Sequence, residues 1–418
     1  MKLIAFLGTG KYDETTYVWN ELRKTTRFSV CACVDFLKPD EIIVFLTKEA
    51  RENTFADFKV EMIPFYGVIK DIDIPLGATQ DELWEIFNTI NDAVAEGETI
   101  AMDVTNGQRS LPMLALLTAA FMKTARDISV KHLLYGAFDV GSTQGQGVTP
   151  MFDLSAMLGL LDWSVAADRF IRSGDSRDMG ALLKDFSAQV KKDGNYERSA
   201  IQRALPLEDA AHSLNRTADA LFLLRPYSAM REIDILKKNF WRIFNSGMAE
   251  NQMSPLYRLL EKIDRSYSKL GNPEPEKEDA DAAARTLEQE RQLIFWYYEH
   301  GHLMQSISLA REWLISWVMY RDGKLNLLNR KLREDYYEKQ INEFAHNEKR
   351  WQGTDFIGAF MNGKTFHDLW HEVTGIRNDI AHAGKNYLPK EADALIRRIE
   401  RQLQVIRDME IPTETDNG

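Results

Sequence analysis

An α/β front followed by an all-helical remainder is the fold class that the 418-residue sequence predicts. Three observations predict it. Short apolar runs bounded by turn or polar residues recur through the first 150 residues. Helix-length amphipathic segments lie between them, an alternation that predicts a parallel-type sheet covered by helices. After about residue 150 the strand-like runs stop and long helical patterns take over.

Leu3 to Leu7 is the first fully apolar run, closed by Gly8. "EIIVFLT" (41 to 47), "FKVEMI" (58 to 63), "ETIAMDV" (98 to 104) and "KHLLYGAF" (131 to 138) follow, as strands buried on both faces read. Residues 28 to 37 fit neither period and stay unassigned. "TQDELWEIFNTINDAVAEG" opens with Thr-x-x-Glu, places apolar residues at 83, 86, 87, 90 and 94, and ends at glycine, so it predicts a capped helix. "SLPMLALLTAAFMKTA" carries a proline in its first turn, where a helix tolerates one. "LSAMLGLLDWSVAADRFIRSG" (154 to 174) and "PLYRLLEKIDRSYSKLG" (255 to 271) are long helical patterns. "GNPEPEKEDADAAA" (271 to 284) interrupts the periodicity with two prolines and a run of acids, which predicts a solvated linker or long loop.

With 44% hydrophobic and 28% charged residues the chain fits no disorder class. A net charge of -11 argues against a strongly basic coat for duplex nucleic acid, while leaving room for a small cationic pocket or a nuclease that holds RNA briefly. Cys31 and Cys33, the two cysteines, are expected to be buried thiols, because a Cys-x-Cys pair is a poor disulfide. The opening run lacks a signal-peptide layout and no apolar stretch approaches a membrane span, so a cytoplasmic location is expected.

Two loops stand at the carboxyl ends of expected strands, where open α/β sheets bind ligands. In "GTGKYDETT" (8 to 16), Gly8 and Gly10 expose backbone amides, and Thr9, Lys11, Thr15 and Thr16 offer donors. In "DVTNGQRSLP" (103 to 112), Asn106-Gly107 bends the chain, Thr105, Gln108 and Ser110 offer hydrogen bonds, and Arg109 stands beside a helix N-terminus that favours an anion. A tight strand-to-helix turn would account for the first loop equally well.

"FLGTGKY" after the opening strand, together with Asp-x-Thr-Asn-Gly-x-Arg-x-x-Pro after a later one, resembles the CARF domain, a Rossmann-fold sensor of type III CRISPR systems. The resemblance covers residues 1 to 152. It implies a homodimer that binds a cyclic oligoadenylate, cyclic tetraadenylate in preference to hexaadenylate, through Gly8, Thr9, Gly10, Lys11, Thr105, Asn106, Gly107 and Arg109.

Near the other end, "RNDIAHAG" (377 to 384) joins a permanent cation to a side chain that trades protons near neutral pH. It resembles the HEPN ribonuclease domain, with residues 285 to 418 as that domain and 153 to 284 as a helical connecting region. The resemblance implies a catalytic set of Arg377, Asn378 and His382, with no metal and no cofactor, acting on single-stranded RNA. Cleavage by the RNA 2'-hydroxyl would leave a 2',3'-cyclic phosphate. Five residues at about 100° each put Arg377 and His382 about 140° apart around one helix, so two facing motifs suit one phosphate better than one. The competing expectations are a capped helix end with no catalytic part, and a ligand-binding regulator that cuts nothing.

Arg126 and His132 match the same pattern and read as a chance match. His367 and His371, one turn apart, lack the glutamate of a zinc-protease helix and read as surface or groove residues. "EHGH" (299 to 302) is expected to end one helix and start the next, and Arg311 with Glu312 to form a helix-face ion pair.

Overall fold

The computed structural model describes residues 1–10, 12–107, 110–138, 147–246, 254–347, 357, 360–385 and 391–412. The chain divides into two compact units, Met1–Asp162 and Trp163–Gly418, and the division falls inside the helix Ser155–Ser173. Among the described residues no helix is long and apolar enough to cross a membrane.

The first unit is built on an eight-stranded sheet. Its strands are β1 (Lys2–Leu7), β2 (Thr15–Trp19), β3 (Leu22–Thr26), β4 (Glu41–Leu46), β5 (Ile69–Asp73), β6 (Thr99–Asp103), β7 (Ser129–Gly136) and β8 (Val148–Asp153), in the order β3-β2-β8-β7-β6-β1-β4-β5. β5, β4, β1, β6 and β7 run parallel, and β2–β3 and β7–β8 pair antiparallel. β1, β4 and β6 are apolar along nearly their whole length because each is covered on both faces. Leu3, Ala5 and Leu7 enter one core with Ile42, Val44 and Leu46, and Ile4 and Phe6 enter the opposite core with Ile43 and Phe45. After β1 the chain forms the β2–β3 hairpin at the far edge, then enters β4 and β5 on one side of β1 and returns on the other side as β6 and β7, so the reversal point of a doubly wound sheet lies at the carboxyl ends of β1 and β6.

Among the described residues five α-helices accompany this sheet: α1 (Ser29–Leu37), α2 (Lys48–Asn53), α3 (Phe55–Glu61), α4 (Gln80–Asp92) and α5 (Leu111–Ala125). The unassigned stretch 28 to 37 is α1. It lacked a legible period because its first six residues, from Ser29 to Val34, are all buried. "FKVEMI" is not a strand. Phe55, Phe58 and Met62 are buried at helical spacing while Val60 is 64% exposed, so the segment closes α3. α4 starts as expected: Glu82 N–H donates to the Thr79 hydroxyl at 3.2 Å, and the Glu82 carboxylate accepts from Ala78 N–H at 2.8 Å.

The second unit is helical. Its long helices are Arg177–Asp193, Arg198–Phe222, Pro226–Phe244, Ser254–Tyr267, Ala280–Glu299, Leu303–Arg321, Gly363–Ala381 and Ala392–Arg407. One continuous core runs from Ala166 to Met409. Its buried aromatic rings have their polar tips satisfied: Tyr267 donates to Phe170 O at 2.6 Å, Tyr297 to Leu221 O at 2.7 Å and Trp313 to Leu287 O at 2.8 Å. The proline-rich break is a loop, with Pro273, Glu274, Glu276, Lys277 and Glu278 exposed as expected, anchored at a few points. Pro275 is buried, Asn272 N–H donates to Met230 O, and Asp279 caps the helix that begins at Ala280.

Candidate functional site

A cavity of about 340 Å³ opens at the carboxyl ends of β1, β4, β6 and β7. Gly8, Thr9, Gly10, Thr105, Asn106 and Gly107 all line it, so the structure brings the two sequence-marked loops together. Lys11 and Arg109 lie outside the described residues. The contact between the loops is main chain against main chain. A Cβ on Gly8 would stand 3.3 Å from the Gly107 nitrogen, and Gly107, at φ +120°, would place one 2.7 Å from Leu111 Cδ1. Only glycine takes that backbone conformation freely.

A buried carboxylate organises the second loop. Asp103, at the end of β6, accepts from the Ser29 hydroxyl at 2.6 Å and from Thr105 N–H at 3.0 Å. Ser29 in turn accepts from the Asn106 amide at 2.7 Å, and the Thr105 hydroxyl accepts from Gly136 N–H at 2.8 Å. Burial raises the Asp103 carboxyl above the usual carboxylate range, opposed by the bonds from Ser29 and Thr105. Asn106 is thereby held by its side-chain amide, leaving the loop's outer surface to the cavity.

Tyr12 fixes the first loop: Gly8 N–H donates to its hydroxyl at 2.9 Å, and the hydroxyl donates to Gly8 O at 3.2 Å. Burial pushes the Tyr12 phenol up to about 12, so it is neutral and available for both bonds at physiological pH. Tyr12, Arg27, Thr47, Tyr135 and Phe138 also line the cavity and were not marked from the sequence. Arg27 sits just beyond β3, a strand whose polar sequence gave no signal, and its guanidinium is held by Glu61 at 2.6 Å and Asp57 at 3.3 Å. Tyr135 and Phe138 stand at the end of β7, 37% and 39% exposed, as flat rings open to a ligand.

In the second unit, Arg377, Asn378 and His382 close the helix Gly363–Ala381. Phe366, Leu369, Trp370, Val373 and Ile376 form its buried stripe, which leaves Arg377 half-buried and Asn378 and His382 exposed. Arg377 donates to the Asn378 side chain at 2.9 Å, and among the described residues no carboxylate pairs with it. His382 is the C-cap residue and its side chain bonds to neither. Behind the stripe, Arg311 lies 5.1 Å from the Trp370 ring centre and bonds to Glu312 and Glu338, so the expected Arg311–Glu312 pair is part of a larger buried network.

The helix ends in a Schellman arrangement: Gly384 N–H donates to Asp379 O and Ala383 N–H to Ile380 O, both at 2.9 Å. Ala383 takes the left-handed position at φ +56°. Ala383→Gly is therefore expected to stabilise the second unit by about 1 kcal/mol, because glycine avoids the Cβ clash of that conformation. A rise in thermal midpoint, measured beside the parent protein, checks it.

The remaining sequence candidates have structural partners. His132 pairs with Asp153 at 2.7 Å and Arg126 donates to Asn91 O. His300 ends one helix, bonded to Trp296 O and Ile171 O, and His302 caps the next, bonded to Ser173 O. His371 bonds to Ala345 O and His367 to Asp368. Cys31 and Cys33 are buried, and burial pushes the Cys31 thiol up to about 12.

No family model matches the chain. The chain is similar to the CRISPR-associated protein MJ1674 of Methanocaldococcus jannaschii, at 26% identity over 199 residues. The match takes in 45% of this chain and 29% of that protein, so it spans less than a third of the relative's length.

Proposed function

We propose that this protein is a CRISPR-associated endoribonuclease of antiviral defence, switched on when its first unit binds a cyclic oligoadenylate. The observation that carries the reading is the meeting of Gly8–Gly10 and Thr105–Gly107 around one cavity at the reversal point of the sheet. The similarity to a CRISPR-associated protein supports the same setting.

Backbone amides and hydroxyls line the cavity together with the exposed rings of Tyr135 and Phe138, a combination suited to phosphate oxygens and stacked bases. At about 340 Å³ the cavity stands near the lower end of the usual range of about 300 to 1,000 Å³ for ligand sites. A ring of four or six nucleotides exceeds it, so two copies facing across a two-fold axis would complete the site. The outer face of α5 fits such pairing. Met113, Leu117 and Phe121, four residues apart, are 70%, 61% and 45% exposed, and neighbouring Trp84 is 57% exposed.

At the other site, the partner of Arg377 among the described residues is a neutral amide, so its charge is available to a phosphate. In the proposed reaction the RNA 2'-hydroxyl attacks the adjacent phosphorus, His382 assists proton transfer, and Arg377 stabilises the charge growing on the phosphate oxygens. The products are a 2',3'-cyclic phosphate and a 5'-hydroxyl. Neither step calls on a metal.

The test is cleavage of a fluorescent single-stranded RNA in EDTA, with cyclic tetraadenylate, cyclic hexaadenylate or neither. Cutting is expected only with a ring, and cyclic tetraadenylate is expected to be the better activator. Asn106→Ala is expected to raise the ring concentration for half-maximal activity about tenfold or more, the effect of one lost hydrogen bond and a loosened loop. Tight ring binding without cutting would instead identify a regulator, and no ring binding would remove the sensor reading.

A further inference from the structure

A second cavity, of about 390 Å³, lies inside the helical unit, away from the Arg377 motif's own residues. Glu290 lines it from the helix Ala280–Glu299 and is 4% exposed. Its Oε2 is buried and has no hydrogen-bond partner among the described residues. A buried acceptor oxygen left unpaired is costly, so this oxygen, facing a cavity, is open to a donor from a ligand.

The surroundings restrict what that ligand is. Arg333 also lines the cavity, but its guanidinium is committed to Ser316 Oγ at 2.6 Å, Leu327 O at 3.0 Å and the Glu312 carboxylate at 2.9 Å. It is fixed at the start of a π-helical turn, Arg333–Tyr337, an irregularity frequent at functional sites. Arg333 and its partner Glu312, which also lines the cavity, act on the Glu290 carboxyl in opposite senses, and the unpaired Oε2 is left to accept from an N–H donor. Tyr227, Leu224 and Leu309 form an apolar wall suited to a flat ring. Leu224 holds that wall at φ +54°, a conformation a leucine adopts at a cost. The Arg225 guanidinium, exposed at the same wall, makes among the described residues one long bond, to Leu224 O at 3.5 Å.

Among the RNA bases, guanine alone presents two adjacent N–H donors on one edge, matching the two oxygens of a carboxylate. Adenine and cytosine place an acceptor beside their amino group, and uracil sets its N–H between two carbonyls. We propose that this cavity binds a guanine nucleotide, with Glu290 accepting both N–H groups of the base edge, Tyr227 flanking the ring and Arg225 meeting the phosphate. The site does not rest on the nuclease reading. The guanine could belong to a free mononucleotide or to an RNA chain.

Titration calorimetry on the intact protein tests this with guanosine 5'-monophosphate, guanosine, adenosine 5'-monophosphate and the trinucleotide ApGpA. The guanine mononucleotide is expected to bind at least tenfold more tightly than the adenine one, and to do so equally in Asn106→Ala, which separates this cavity from the first. Glu290→Gln is expected to weaken it at least tenfold, because the amide turns a donor toward a donor. Arg225→Ala, an exposed change that leaves folding intact, is expected to weaken the mononucleotide severalfold and guanosine not at all. Tighter binding of ApGpA than of the mononucleotide would assign the base to RNA, and the reverse to a free nucleotide. Equal affinity for the guanine and adenine nucleotides, or unchanged affinity in Glu290→Gln, would overturn the proposal.

Discussion

His382→Ala is expected to lower ring-activated RNA cleavage by about 10²- to 10⁴-fold, the usual contribution of a positioned proton-transfer group. The change is well suited to an unambiguous answer. The His382 side chain is exposed, and the bond that ends the helix comes from its backbone N–H to Asn378 O at 2.9 Å, which alanine keeps. Thermal stability should therefore stay within about 0.5 kcal/mol of the parent, as for surface changes away from special features. Ring affinity should not move either, since every ring-facing residue lies in the first unit. Arg377→Ala should produce a comparable loss, and its RNA affinity should fall with it. Full cleavage by the alanine protein, with folding and ring binding intact, would remove the terminal motif from the catalytic reading.

The second large effect is on stability and concerns Glu290. Burial raises its carboxyl from the ordinary 4.5 to about 7, with Arg333 pulling it back. The folded protein thus holds this proton more tightly than the unfolded chain does. Below pH 4.5 both states carry it and no penalty arises. As pH climbs toward 7 the unfolded chain releases it first, so stability falls, and above 7 the full cost is present. That cost is about 3 kcal/mol. Glu290→Gln removes the titrating group. In urea unfolding without added nucleotide, the variant is expected to exceed the parent by about 3 kcal/mol at pH 8 and to differ little from it near pH 4.5. A parent-to-variant difference of the same size at both pH values would show that burial does not govern this carboxyl.

Legibility of the fold in the sequence follows burial. β1, β4 and β6 are covered on both faces and read directly as apolar runs. β3 and β5, "LRKTT" and "IKDID", lie at the two edges of the sheet, where exposed positions are polar and the period-2 signal thins. β2, which lies between β3 and β8, also went unread, because five residues opened by two threonines carry too short an apolar pattern. "FKVEMI" misled because Val60, apolar yet exposed, filled in an alternation that the packing does not use.

The candidate site divides along a similar line. Gly8, Thr105, Asn106 and Gly107 were legible because strand-end loops rich in glycine and small donors have a local chemistry. Ser29 was not, since its link to Asp103 spans 74 positions and exists only once α1 docks under β6. Tyr12 lies in the first loop itself, four residues from the Gly8 it holds, whereas Arg27 and Tyr135 reach the cavity only once distant strands pair, which no short window records. Glu290 reads in sequence as one more glutamate on a helix, and only its burial and unpaired Oε2 distinguish it.

Where the two loops meet, the floor of the first cavity is bare main chain from Gly8 and Gly107. A binding surface made this way does not drift as side-chain surfaces do. Substitutions around its rim can retune which bases are preferred, while the floor tolerates little at Gly107, where both backbone conformation and the 2.7 Å approach to Leu111 stand against a side chain. Mutational scanning of this protein would accordingly show a graded response at the rim, an intermediate one at Gly8 and the sharpest at Gly107, whose φ of +120° suits glycine alone.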